Sequence, residues 1–153
     1  MPPPEPQPVA SLTEEALVVK ELEERETKAQ NEKMRLVSSD TKTIWTDYMV
    51  TNAGSGKTYK IALRGWERGD SYCSCPDFRK NTLGTCKHIL YALDKVKKRF
   101  TKSVRKQCFR QREIAVHLLY GNTLELRLLI PSALEADIKR QIKPISNIAI
   151  SDM

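Results

Sequence analysis

The chain has 153 residues, 40% of them hydrophobic, and carries 26 Lys+Arg against 19 Asp+Glu for a formal charge of +7, with four Cys and two His. That length accommodates one domain or two very small ones and excludes a large multidomain enzyme. Its apolar runs are only a few residues long, as at Ala16–Val19, too short to span a bilayer, so no membrane partner is expected. The opening residues, Met1-Pro-Pro-Pro-Glu5, lack the basic region and apolar core of a secretory signal, and a reducing, cytoplasmic setting is the expectation. Cysteines in such a setting serve as metal ligands or free thiols more often than as disulfides.

Five of the eight prolines fall within residues 1–10, which predicts an extended, disordered tail. Ser11-Leu-Thr-Glu14 fits a capping box, in which a hydroxyl and a carboxylate satisfy free N–H groups at a helix start. A helix is predicted from about Leu12 to Met34 within a helical segment spanning 11–37. Beyond Leu22 its residues are almost all polar, with Glu21/Arg25 and Glu24/Lys28 at i,i+4 spacing, so it reads as a solvated spacer.

Ile44–Thr51 and Thr58–Leu63 are rich in β-branched and aromatic residues and flank the turn residues Asn52-Ala-Gly-Ser-Gly56. With Gly65 and Gly69-Asp70 as the next turn, and Ser71–Cys75 as a third short strand, they predict an antiparallel meander. Gly54-Ser-Gly-Lys-Thr58 imitates the end of a phosphate-binding loop, but the first glycine of that motif would fall on Thr51. A phosphate loop also leads into a helix, whereas Tyr59-Lys-Ile-Ala-Leu63 reads as a strand, so a hairpin turn is expected. Ile89, Leu90, Leu93 and Val96 place an apolar stripe on a helix over Lys87–Lys98. Residues 101–112 read as a basic linker. Ile114–Leu119 and Leu124–Ile130 then flank Tyr120-Gly-Asn-Thr123 as a β-hairpin, and Ser132-Ala-Leu-Glu135 opens a helix that Pro144 stops, which makes a unit of 113–145 before a tail at 146–153.

The strongest chemical signal is Cys73-Ser-Cys75, ten residues, then Cys86-Lys-His88. Three thiols and an imidazole are the soft and borderline donors that suit tetrahedral zinc. Residues i and i+2 of a strand share a face, so Cys73 and Cys75 can meet one ion. Cys86 and His88 fall in the first turn of the predicted helix, where free N–H groups and the helix dipole favour thiolate. Four protein donors fill the tetrahedron, so one structural Zn2+ is expected, contributing on the order of 10 kcal/mol at neutral pH. Cys108 and His117 are left over, with no arrangement around either that suggests nucleophilic catalysis.

Cys-x-Cys followed by Cys-x-His, with strands before and a helix after, resembles the SWIM zinc finger, whose motif falls on Cys73, Cys75, Cys86 and His88 without substitution. A longer similarity, through Ser55-Gly-Lys-Thr-Tyr-Lys-Ile-Ala-Leu-Arg-Gly65, Cys73–Phe78 and Gly84–Ile89, resembles the N-terminal SWIM region of bacterial SNF2-class helicase-like ATPases over roughly residues 34–145. The resemblance implies a targeting or accessory region for a DNA-dependent motor in cis or in trans. The helicase motifs themselves fall on no residue here, so no ATPase activity is expected of the chain.

The charge is unevenly spread. Residues 79–112 hold 12 basic residues and one acidic one, leaving 14 basic and 18 acidic elsewhere, so a +11 block stands on a −4 remainder. Arg79, Lys80, Lys87, Lys95, Lys97, Lys98, Arg99, Lys102, Arg105 and Lys106 are candidate contacts to a nucleic-acid phosphate backbone, DNA in the first instance. Phe78, Tyr91, Phe100 and Phe109 are interleaved among them and could stack on unpaired bases, though core packing is the plainer role. The expected architecture is α+β, a zinc finger domain over 40–100 joined by the linker to the hairpin-plus-helix unit. A protein-interaction adaptor using the finger and the C-terminal hairpin is the alternative function.

Overall fold

In the computed structural model, residues 13–110, 114–120 and 124–131 are described. The chain is mixed helix and strand. The elements are α1 (Glu14–Asn31), β1 (Met34–Ser38), β2 (Asp47–Asn52), β3 (Thr58–Ala62), β4 (Tyr72–Cys73), α2 (Pro76–Lys80), α3 (Lys87–Arg99), α4 (Lys102–Arg105), β5 (Ala115–Tyr120) and β6 (Leu124–Leu129). The first four strands form one antiparallel sheet in chain order. None of the described helices is long and apolar enough to cross a membrane.

The sheet buries one face. Leu36, Val50 and Tyr59 lie side by side across β1, β2 and β3, and Ser38, Tyr48, Ile61 and Cys73 form the adjacent row. Tyr48, Val50, Ile61 and Cys73 are fully buried and meet Ile89, Ala92 and Val96 of α3 in one core. The opposite face carries Val37, Met49, Lys60 and Tyr72, all exposed, as the period-2 alternation of a half-buried sheet requires.

The predicted meander is present, with one strand more than the sequence suggested. The sequence predicts a helix to about Met34 within a helical segment that reaches residue 37. That helix instead ends at Asn31, Glu32 takes extended backbone, and Met34–Ser38 pairs along its whole length with β2. Alternation of Met34, Leu36 and Ser38 toward the core, with Arg35 and Val37 outward, decides the register, because a helical continuation would leave the edge of β2 unpaired. Ile44 and Trp45 are buried in the core but precede β2 rather than beginning it. Gly54–Lys57 makes the turn into β3, with the Asn52 carboxamide oxygen accepting from the Gly54 and Ser55 amides and Gly56 at φ 67°.

Two regions read as solvated connectors are built into the fold. Helix α1 packs against α3 with Ala29 buried. Its Arg25 makes a two-pronged pair with Asp77 of α2, at 2.7 and 3.0 Å, and Glu32 at its end accepts from Lys87 and Asn52. It is therefore a clamp on the finger, not a spacer. Thr13 caps it, accepting from the Ala16 amide; Ser11, the expected cap, lies outside the described residues. The stretch read as a basic linker likewise folds back. Val104 and Phe109 pack on the core, Trp66 donates its indole N–H to the Arg105 carbonyl at 3.0 Å, and Trp45 donates to the Gln107 carbonyl. The two indoles meet edge to face with centroids 5.0 Å apart. Two tryptophans satisfying carbonyls of one segment fix it to the sheet, an effect that only tertiary contacts supply.

Strands β5 and β6 pair antiparallel in the expected hairpin, from Ala115 opposite Leu129 to Tyr120 opposite Leu124. The tail at 1–10, the turn at 121–123 and the expected helix from Ser132 lie outside the described residues.

Removing the clamp gives a first prediction. The Arg25 side chain is 13% exposed, and Arg25→Ala leaves Asp77 without its partner. A loss of about 1–2 kcal/mol is expected, discounted because Asp77 is half-exposed, which lowers Tm by several degrees in a domain of this size. An unchanged melting curve would show that α1 is held by its apolar contacts alone.

Candidate metal centre

Cys73, Cys75, Cys86 and His88 come together, and one donor atom from each lies within 4.8 Å of all the others. All four residues are buried. Each donor is placed by a separate local device. Cys73 ends β4, opposite Ile61. Ser74 prolongs the pairing beyond the strand, because its amide donates to the Lys60 carbonyl and its hydroxyl accepts from the Lys60 amide, both at 2.9 Å. Cys75 is not a strand residue, as its spacing from Cys73 implied, but the N-cap of α2. Its Sγ accepts from the Phe78 amide at 3.3 Å, and Pro76 opens the helix, where a missing N–H costs nothing. Cys86 is the N-cap of α3 and His88 lies in its first turn, as expected.

The loop from α2 to Cys86 is equally determined. Asn81 caps α2 and brackets the loop, donating from its side chain to the Thr85 carbonyl at 3.1 Å and accepting from the Leu83 amide at 2.9 Å. Gly84 takes φ +68° and its carbonyl accepts from the Gly69 amide at 2.9 Å, tying this loop to the β3–β4 turn. Lys87, between Cys86 and His88, donates to Glu32 at 2.6 and 2.8 Å, and this pairing holds the Glu32 carboxyl below its usual range. Arg25, Glu32 and Tyr59 thus support the site without local signals in the sequence, since their partners are distant in the chain, whereas Asn81 bonds only near neighbours, as an Asn in a turn does.

His88 presents Nδ1 to the thiols, 4.0 Å from Cys73 Sγ and 3.9 Å from Cys86 Sγ. Its ring is tilted against Tyr59, with centroids 4.9 Å apart. Around tetrahedral zinc at ordinary bond lengths, a thiolate and an imidazole nitrogen stand about 3.6 Å apart and two thiolates about 3.8 Å. The two sulfur–nitrogen distances lie within a few tenths of an ångström of that value, and all four donors stand within 4.8 Å of one another. Three thiols facing an imidazole nitrogen in a dry core are an unusual arrangement unless an ion links them, and the set fits a four-donor structural metal site.

Crowding orders the protonation of the thiols. Cys75 is the acceptor of the group, and hydrogen bonding from Cys73, Cys86, His88 and the Phe78 amide holds its pKa far below the ordinary thiol value. Donating to that thiolate, and burial, push Cys73 up to about 12. Cys86 is raised by hydrogen bonding to Cys73 and Cys75. Where zinc loss unfolds the chain, all three thiols return to the ordinary thiol range, about 8.5, and are mostly protonated at neutral pH. A metal-bound site has three thiolates, so loading releases about three protons and affinity rises with pH. Lowering the pH by one unit near neutrality is expected to weaken metal binding by roughly tenfold per proton, about 1,000-fold in all. Chelator competition at several pH values measures this, and a pH-independent affinity would contradict ligation by thiolates.

Cys108, by contrast, is exposed and stands apart from the cluster. The basic candidates lie on three helices, α2, α3 and α4, and just after α4. Arg79 and Lys80 are exposed on α2 beside the metal site. Lys87 is spent on Glu32 and Lys98 pairs with Asp94 at 2.7 Å. Lys95 lies over the Tyr91 ring and Arg99 over the Phe100 ring. Lys97, Lys102 and Lys106 are exposed, whereas Arg105 is half-buried with its Nε enclosed.

No family model matches this chain, and no curated protein or solved structure matches it either. The resemblance to the SWIM finger therefore rests on the four Cys and His positions and on the strand, loop and helix that present them.

Proposed function

We propose that the chain is a zinc-binding module in which one Zn2+ held by Cys73, Cys75, Cys86 and His88 stabilises the sheet and α3, and that the module binds nucleic acid through its phosphate backbone. Following the resemblance, it would serve as a targeting or accessory region of a SNF2-class DNA-dependent ATPase, with the chemistry residing in that motor and none in this chain. The observation that carries the reading is the buried convergence of three sulfurs and one imidazole nitrogen within 4.8 Å. Zinc would act as a cross-link, joining the end of β4 to the starts of α2 and α3. The nucleic-acid half of the reading is supported by the +11 block at 79–112, much of which is exposed.

Native mass spectrometry tests the first half: one zinc per chain, lost with the fold on chelation, is expected, and a folded zinc-free chain would overturn it. Fluorescence anisotropy with a labelled duplex tests the second, with affinity expected to fall steeply as salt rises.

A protein-interaction role is favoured by one separate observation. Val116 and Leu126 are 68% and 64% exposed, and their register partners Leu128 and Leu118 place them on the same side of the β5–β6 hairpin. Val116→Lys with Leu126→Lys should then abolish capture of a motor subunit while leaving zinc content unchanged.

A further inference from the structure

The basic block is contiguous in sequence but divided in space. Arg79 and Lys80 end α2, four and five residues after its N-cap Cys75. The next cluster of cations begins at Lys95, eight residues and about 12 Å along α3 from Lys87. There the chain turns a corner. Phe100 caps α3, Thr101 caps α4, and only those two residues separate the helices. Val96 is buried and Phe100 and Val104 pack on the same core, so the inner side of the corner is apolar. Lys97, Arg99, Lys102 and Lys106 of this segment are exposed, Lys97 and Arg99 on the two flanks of α3.

Eight basic residues and no acidic one lie between Lys95 and Arg110. Among the described residues, Lys97, Lys102 and Lys106 have no ion-pair partner, and neither do Arg79 and Lys80, whereas Lys87 pairs with Glu32, Lys98 with Asp94, and Arg25 with Asp77 and Glu21. One or two cations would suffice to complement the negative end of the α3 dipole. Seven cations besides Lys98 along residues 95–110, against two on α2, fit a dense polyanion.

The aromatic residues of the same region identify which polyanion. Phe78 is 2% exposed, and Tyr91, Phe100 and Phe109 pack against the core. None is an open platform on which an unpaired base could stack, and stacking is the main sequence-tolerant source of single-strand affinity. Tyr72 is exposed, but it lies on the outer face of the sheet, whereas α3 covers the inner one. A surface with free cations and no stacking platform matches the higher charge density of a duplex, one phosphate per about 1.7 Å of axis.

We infer that the exposed cations of the α3–α4 corner, Lys97, Arg99, Lys102 and Lys106, grip the phosphate backbone of duplex nucleic acid, and that the two cations of α2, Arg79 and Lys80, contribute less. This inference rests on the nucleic-acid reading above and sharpens it. The test uses the full chain, a ~20-bp duplex and one of its strands, with affinities measured by anisotropy across ~50–200 mM salt. Two charge-reversal variants are compared, K97E/K102E/K106E and R79E/K80E, each first checked for one bound zinc and an unchanged circular dichroism spectrum.

The corner variant is expected to lose at least tenfold in duplex affinity, with the salt slope reduced by about 0.9 for each lost contact. The α2 variant should change affinity less than about threefold, and the wild type should bind duplex more tightly than single strand. If R79E/K80E abolishes binding and the corner variant does not, or if single strand is preferred, the inference fails while the nucleic-acid reading stands. If the wild type binds neither at low salt, both fail.

Discussion

Cys86→Ser is expected to abolish metal binding and unfold the module. Cys86 caps α3, is fully buried, and sits with Cys73, Cys75 and His88 inside the hydrophobic core rather than beside it. A structural zinc contributes on the order of 10 kcal/mol at neutral pH, comparable with the whole 5–15 kcal/mol net stability of a typical domain. Serine is a far poorer zinc ligand and leaves a buried hydroxyl facing two thiols. The expected outcome is loss of zinc in native mass spectrometry together with loss of dispersed amide resonances from β2, β3 and α3. Cys108→Ser is the matched control, since Cys108 is exposed and outside the cluster, and it should keep both zinc and fold. A Cys86→Ser chain that retained one zinc at wild-type affinity would refute the assignment of the site.

Gly84→Ala is expected to be strongly damaging. Gly84 has φ +68°, a conformation that costs an L-residue about 1 kcal/mol or more. The added Cβ would also stand 2.8 Å from the Gly69 amide nitrogen and 3.1 Å from its Cα, both backbone atoms that cannot swing away. The loops before β4 and before α3 would have to separate, breaking the bond from the Gly69 amide to the Gly84 carbonyl and displacing Cys86 two residues on. Strain and overpacking together predict about 3 kcal/mol of destabilisation. With folding and metal binding coupled, that corresponds to about a 100-fold loss of zinc affinity, readable by chelator competition. Gly56→Ala separates the two causes: its φ is 67° but nothing lies within 4 Å of the added carbon, so only the conformational cost should appear. Equal effects at the two positions would show that the Gly69 approach is not what matters.

Local chemistry made much of this chain legible. Three thiols and an imidazole in paired spacing point to a candidate metal site before any fold is known, because few other roles require those residue types so close together. The strands at 47–52 and 58–62, the hairpin turn in place of a phosphate loop, and α3 follow from period-2 and period-3.6 patterns and turn residues. None of these depends on distant parts of the chain. The sequence also determined the size and sign of the basic block.

Other features required the tertiary structure. Met34–Ser38 has the composition to end a helix or begin a strand, and only the open edge of β2 decides between them. Arg25 and Asp77 are 52 positions apart, and Glu32 and Lys87 are 55 apart, so the polar end of α1 looks solvated until the finger is placed beneath it. The segment after α3 looks like a linker until Trp45 and Trp66 donate to its carbonyls. Charge behaves in the same way. Sequence sums it along a line, whereas folding spends some cations on carboxylates, lays others over rings, and leaves the remainder exposed on α2, α3 and α4. Ligand identity is a property of residue types and can be read from the chain. Which charges remain free, and where they face, depends on pairings between residues far apart in sequence, and only the fold makes those.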